Sequence, residues 1–306
     1  LSTATASASA SGLNSSTTYY FQIYSTNSTG TSYGSVLNFT TASLSPALTP
    51  TFDTPVKTSG GFTVNITNYD ANYTWSTSVS AGSVSRSTSA LTVTGLTSAQ
   101  SATITVTTTR AGYNDGSATV TGTAKTSQTI TLSSLGTSSK SYPYSQALSM
   151  STSGSSGTGA VTYAIASGGT ATGCALSNTS STATVTATTI GTCLIAATIA
   201  TDANYESATS SSLTFTFSKA SQTVTWSPTN SYSTTSKPVT FSAAASSSGP
   251  GTISYAVTTV GTPNCSLDGS GRLIWDDSAT GTCAVTATAA SNDDYSQGTT
   301  TVTFTI

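Results

Sequence analysis

Gly191-Thr192-Cys193-Leu194-Ile195-Ala196-Ala197-Thr198, running on to Asp202-Ala203-Asn204-Tyr205, returns almost intact later in the chain. The second copy is Gly281-Thr282-Cys283-Ala284-Val285-Thr286-Ala287-Thr288, running on to Asp293-Asp294-Tyr295. The surroundings repeat as well. A second cysteine stands upstream of each copy, in Cys174-Ala175-Leu176 and Cys265-Ser266-Leu267. Before it, a strand-like segment ends on a tyrosine: Val161-Thr162-Tyr163 and Ile253-Ser254-Tyr255. Ser127-Gln128-Thr129-Ile130 and Ser221-Gln222-Thr223-Val224 open the two units. The landmarks recur at an offset of about 90–94 residues, the length of one β-sandwich domain. The chain reads as an array.

Its 306 residues allow three such units and a remainder. Charged residues are only 6%, against about 25% in ordinary domains. Ser and Thr make up roughly two residues in five, and they alternate with Val, Ile, Leu, Ala and aromatics in the period-2 rhythm of half-buried strands. Thr and Val are both β-branched and suit a pleated surface. Met and Glu, good helix formers, occur once each. The fold class is all-β: a tandem array of immunoglobulin-like and fibronectin type III-like β-sandwiches.

Chemistry is scarce. There is no histidine, so a Ser or Cys nucleophile has no imidazole base. Glu206 is the one glutamate and the aspartates fall in turn-like sequence, so paired carboxylates across a cleft are not expected. The chain is therefore read as no enzyme, with no cofactor. A net charge of −2 with scattered basic residues argues against nucleic acid. No apolar run is long enough to span a bilayer. The first residue is Leu, which reads as a processed or trimmed chain or a piece of something longer.

Cys174, Cys193, Cys265 and Cys283 form two similarly spaced pairs. The repeat predicts the disulfides Cys174–Cys193 and Cys265–Cys283, hence an oxidising, extracellular compartment. Zinc is the competing reading, but neither histidine nor a C-x-x-C motif is present. Calcium would need oxygen ligands from Asp202, Asn204 and Glu206, from Asp276 and Asp277, or from Asn292, Asp293 and Asp294. No full ligand set stands at recognisable spacing, so no metal is expected, and these residues read as turn formers.

The expected domains are 1–43, 44–125, 126–219 and 220–306. In the first, residues 1–13 alternate, with Ala4, Ala6, Ala8 and Ala10 on one face of an expected strand. Leu13 precedes Tyr19 by six residues, and Phe39-Thr40-Thr41 closes the segment. These residues resemble the second half of a fibronectin type III domain, whose corner tyrosine bonds back to the backbone. The corner here reads Asn-Ser instead of the usual Pro-Gly. Residues 44–125 lack cysteine, with strands expected over 61–67, 73–78, 90–96, 102–110 and 117–124 and with Trp75 in the core. They resemble a bacterial immunoglobulin-like domain. Tyr113, Tyr205 and Tyr295 are expected at equivalent places before each last strand, with Tyr33 as their counterpart.

The near absence of linkers predicts a semi-rigid rod. The function expected is that of an extracellular, cell-surface rod or filament subunit of a bacterial fibre or adhesin. The alternative is a spacer or carbohydrate-binding region of a secreted polysaccharide-degrading enzyme, with Trp226, Trp275 and tyrosines as a platform. Self-association into a fibre, with surface glycans as further partners, is expected. Half a sandwich leaves an apolar face and open strand edges at residues 1–43. Completion is expected from upstream sequence, or by strand donation from a second subunit.

Overall fold

The computed structural model describes residues 5–258 and 263–306. They fall into two compact units: Leu1–Ser127 with Ala203–Glu206, and Gln128–Asp202 with Ser207–Ile306. Strands and turns make up both units, with no helix among the described residues.

The first unit begins with β1 (Thr18–Phe21), β2 (Tyr24–Asn27), β3 (Gly30–Tyr33) and β4 (Leu37–Thr40). β1 pairs antiparallel with β4, and β2 with β3. Together they make one hairpin ribbon, interrupted where Gly34 N–H donates to the Ile23 carbonyl at 2.8 Å. The expected strand over residues 1–13 does not form in its described part, residues 5–13; Ala4 lies outside the described residues. Alanine and serine bury too little apolar area to hold an isolated strand in place.

Seven strands follow: β5 (Val56–Thr58), β6 (Gly61–Asn65), β7 (Thr74–Val79), β8 (Ser83–Ser87), β9 (Ala90–Thr94), β10 (Ser101–Thr109) and β11 (Gly116–Thr123). The sheet orders are β5-β6-β9-β8 and β11-β10-β7. Lettered A to G along the chain, they read ABED and GFC, the arrangement of a seven-stranded immunoglobulin sandwich. Alternation places Phe62, Val64, Leu91, Val93, Ile104 and Val106 between the sheets. Trp75 on β7 is buried there, its Nε1 donating to the Asp70 carbonyl at 2.8 Å. Two of the seven strands, β5 and β8, were not expected. Each is short, and Lys57 and Arg86 interrupt its apolar pattern.

The second unit holds the cysteine repeats. The first has β12 (Thr131–Ser134), β13 (Ser139–Ser141), β14 (Ser145–Ala147), β15 (Met150–Ser153), β16 (Val161–Ala166), β17 (Ala175–Leu176), β18 (Thr184–Thr186), β19 (Gly191–Ile199), β20 (Ala208–Thr209) and β21 (Leu213–Ser218). Its main sheet runs β13-β21-β19-β16, with β13 parallel to β21. The second has β22 (Val224–Thr225), β23 (Ser246–Ser247), β24 (Ile253–Val257), β25 (Ser266–Leu267), β26 (Leu273–Ile274), β27 (Thr282–Ala289) and β28 (Gly298–Thr305). Its main sheet runs β24-β27-β28. The quoted motif is β19 in one repeat and β27 in the other. Along β19, Cys193, Ile195, Ala197 and Ile199 point into the core; along β27, Cys283, Val285, Ala287 and Ala289 do so. The residues between them face outward, and they are Thr, Ala and Leu. The chain is a tandem array of immunoglobulin-like sandwiches.

Candidate functional site

One surface among the described residues is unusual. Cross-strand pairing puts Tyr19 opposite Phe39 and Phe21 opposite Leu37 on one face of the β1–β4 ribbon. The rings of Tyr19 and Phe39 stack at 6.0 Å, and Phe21 leans on Phe39 at 6.3 Å. Among the described residues no second sheet covers this face. Phe21 is 45% exposed, Ile23 59%, Leu37 53% and Phe39 41%. Ala6 and Ala8 run beside Phe21–Tyr24 across a cleft of about 500 Å³, and Ala8 and Ala10 border a second, of about 430 Å³, with Leu13 and Phe39. They approach the ribbon without forming a strand beside it. At the ribbon's base, Asn14 N–H donates to the Tyr19 hydroxyl at 2.8 Å.

Sequence bias accounts for the local shape. Tyr19-Tyr20-Phe21 and Leu37-Asn38-Phe39 are β-favouring runs, and Asn27-Ser28-Thr29-Gly30 makes the turn. No charged residue occurs before Asp53. The site is therefore neutral, apolar on one face and lined by hydroxyls on the other, where Thr18 and Thr40 share a hydrogen bond of 2.8 Å.

Cys174 is joined to Cys193 and Cys265 to Cys283, with Cα–Cα distances of 5.8 and 5.9 Å. Each bond ties a chain segment beside a short strand (β17 or β25) to the buried β19 or β27. Trp226 and Trp275 lie inside the last core. Trp226 Nε1 donates to the Ala243 carbonyl at 2.9 Å, and its ring meets Phe241 edge-on at 4.9 Å. Neither indole is part of an exposed platform.

The turn acids are occupied locally. Asp202 accepts from Thr158 N–H at 2.7 Å. Asp277 pairs with Lys237 at 2.6 Å, which holds its carboxyl below the ordinary range through a side-chain hydrogen bond and charge attraction. Asn292 Oδ1 accepts from Asp294 and Tyr295 N–H. No group of three or more His, Cys, Asp or Glu is placed to hold a metal ion among the described residues. No helix there is long and apolar enough to cross a membrane.

Tyr113, Tyr205 and Tyr295 share one local structure. Ser45, Thr126 and Ala220 respectively form a parallel bridge to them. The bonds repeat: Ser45 N–H to Gly112 O at 2.9 Å and Asn114 N–H to Ser45 O at 2.9 Å; Thr126 N–H to Asn204 O at 2.8 Å and Glu206 N–H to Thr126 O at 2.9 Å. Ala220 repeats the pattern with Asp294 and Ser296. The device fastens each opening residue beside the loop that leads to the last strand. All three rings are half-buried. Tyr33 is different: it lies within β3, opposite Tyr24, and is exposed.

The same loop helps make the junction between the cysteine repeats. Lys219 is the single residue between β21's end at Ser218 and the clamped Ala220, and its Nζ donates to the Asn292 carbonyl. The Tyr144 hydroxyl donates to the Asp293 carbonyl at 3.3 Å, and the rings of Tyr142 and Tyr295 meet at 5.4 Å.

Scans of known protein families and of curated proteins find no match. Solved structures give distant likenesses. The N-terminal eight immunoglobulin domains of Down syndrome cell adhesion molecule are 10% identical, with a TM-score of 0.37, covering 95% of this chain and 40% of that one. Three N-terminal domains of the highly immunogenic outer capsid protein of bacteriophage RB49 are 14% identical, with a TM-score of 0.33, covering 85% and 98%. Invasin, a bacterial integrin-binding protein, is 15% identical, with a TM-score of 0.24, covering 90% and 62%.

Proposed function

We propose that the chain is a non-enzymatic, extracellular structural protein, a rod or filament subunit of a bacterial cell-surface fibre or adhesin. The observation that carries this reading is the uncovered apolar face of the β1–β4 ribbon. A two-stranded ribbon is marginal by itself in water, and its free edges invite another strand. The occupant in this reading is a strand from a second copy of the chain, added at the edge of β1 by main-chain pairing. Neutrality favours such an occupant, because no charge must be desolvated on either side when uncharged segments meet. The Ala/Ser alternation of residues 5–11 is of this kind, and its small side chains suit the clefts beside Phe21 and Phe39. A head-to-tail contact of this type does not close on itself and so builds a fibre.

Four further supports belong to the same reading. Disulfides suit an oxidising compartment. The repeated clamps and the one-residue junction at Lys219 favour domains at 1–43, 44–125, 126–219 and 220–306 that follow one another with almost no linker. The Leu13–Tyr19 spacing and the Asn14 bond to the Tyr19 hydroxyl favour a fibronectin type III-like origin for the first segment. The bacterial assignment rests on the resemblance of residues 44–125. Negative-stain electron microscopy of the full chain tests the proposal. Linear polymers are expected, and Phe21→Asp, at an exposed site that leaves the other sandwiches folded, should dissolve them. Single particles at every concentration would overturn the reading.

A further inference from the structure

The chain contains seven Asn-x-Ser/Thr triplets, at Asn14, Asn27, Asn38, Asn65, Asn72, Asn178 and Asn264. In so threonine-rich a sequence, composition alone generates many of them. Structure separates them sharply. Asn38 lies inside β4 opposite Tyr20, and the hydroxyl of its +2 residue, Thr40, is bonded to Thr18. Asn65 lies in β6, with its N–H and Nδ2 both donating to the Asp53 carboxylate at 2.7 and 2.8 Å. Asn72 Nδ2 donates to Asp70 at 2.8 Å, and its +2 residue, Thr74, starts β7. Asn264 Nδ2 donates to Asp276 at 3.2 Å, beside the disulfide of Cys265. At Asn14 the +2 N–H, of Ser16, is already given to the Ala42 carbonyl at 3.2 Å.

Two triplets differ. Asn27 stands at the exposed tip of the β2–β3 hairpin, where its Oδ1 accepts from both the N–H (2.9 Å) and the hydroxyl (2.7 Å) of Thr29. Asn178 stands in the exposed turn between β17 and β18. There its Oδ1 accepts from both the N–H (2.8 Å) and the hydroxyl (2.6 Å) of Ser180. The hydroxyl at the third position is what defines an acceptor triplet, and at these two sites it already rests on the carboxamide. The nitrogen to be modified is left available. Asn27 Nδ2 makes no hydrogen bond among the described residues, and Asn178 Nδ2 makes only a long contact of 3.4 Å to Ser177.

We propose that Asn27 and Asn178 are the N-glycan acceptor sites of the folded protein. The co-substrate is a glycosyl diphosphate. Nδ2 forms a bond to the anomeric carbon while that carbon's bond to the diphosphate oxygen breaks. The diphosphate leaves with the electron pair, and one Nδ2 proton passes to a base on the transferase. A glycan at Asn178 would project from an exposed turn outside any strand, and one at Asn27, the last residue of β2 and paired with Gly30, from the tip of its hairpin. By contrast, Asn38 is flanked on both sides by β4 and the Asn65 Nδ2 is held by Asp53.

The test treats the folded full chain with UDP-glucose and a soluble sequon-directed N-glucosyltransferase chosen because it glucosylates the same chain when unfolded. Peptide mapping should find glucose at Asn27 and Asn178. Asn27→Gln and Thr29→Ala should each remove the first mass increment, and Asn178→Gln and Ser180→Ala the second. Equal modification of Asn38, Asn65 or Asn72 in the folded chain would overturn the proposal. So would unmodified Asn27 and Asn178 in a chain that accepts glucose there when unfolded. Mapping protein taken from its natural source gives the second arm: glycans at these two sites support the proposal, and none there overturns it.

Discussion

Gln222 shows how much a single residue can organise in a protein with few charges. It is 5% exposed, and its Nε2 donates to the carbonyls of Ala290 and Ser296 at 2.8 and 2.9 Å. Its Oε1 accepts from the Ser247 hydroxyl and Gly251 N–H at 3.0 and 3.3 Å. One amide thus ties the opening strand to both ends of the loop before β28. Gln128 repeats part of this by accepting from Gly157 N–H at 2.9 Å. Gln222→Leu keeps the volume but takes the donor from part-buried carbonyls, at a cost of about 1–3 kcal/mol. Denaturant unfolding reads that loss; a change under about 0.5 kcal/mol would contradict the role given to the amide. Titration is equally local. Asp53 is held below its ordinary 3.8 by the backbone and then the side chain of Asn65. Asp268 is held below it by the Arg272 side chain, then its backbone. Depressed carboxyls lend stability above about 3.8 that is lost as pH falls further. Tyr144 is raised above 10.0, by burial first and by Asp294 next, so its contribution holds below that value and is lost as pH rises through it. With no histidine, the melting temperature should be flat between roughly pH 5 and 9. A transition near neutrality would contradict this.

The strand elements explain why some of the fold was readable and some was not. β19 and β27 alternate so regularly, and carry cysteine at the same step, that their repetition fixes both the sandwich class and the pairs to examine. The bonds to Cys174 and Cys265 each close a short loop, with sequence separations of 19 and 18. Replacing Cys265 and Cys283 together by Ser should cost about 3 kcal/mol, seen as a lower denaturation midpoint for this repeat. An unchanged midpoint would mean that the bond adds no stability there. β5, β8 and β13 escape sequence reading because Lys57, Arg86 and Lys140 sit in strands of only 3–5 residues. Pairing to neighbours, and not their own pattern, makes them strands. The reverse holds for residues 5–13, whose alternation is clear but whose alanines have too little surface to enforce pairing. The Tyr113, Tyr205 and Tyr295 loops were legible as an echo. Their main-chain bonds to Ser45, Thr126 and Ala220 were not, because nothing in a side chain records them. Gln128 and Gln222 could have been singled out by one signal, an amide recurring at the start of both units.

At the scale of the whole molecule, the described residues form three cores built from alternating apolar residues, and a hairpin that belongs to none of them. Its stretch of chain carries no charge and leaves Phe21, Ile23, Leu37 and Phe39 exposed. An apolar face of this kind signals a partner, and the partner proposed for it is a second copy donating a neutral strand. Ser7 and Gln22 border the same cleft, which makes them reporters of whether the strand beside β1 comes from the same chain or another. The most direct measurement mixes a Ser7→Cys chain with a differently tagged Gln22→Cys chain under mild oxidation and weighs the products. The account predicts cross-linked pairs carrying both tags, and a ladder of linear multimers from the double variant. No mixed product, with the double variant closing only upon itself at the mass of one chain, would contradict it.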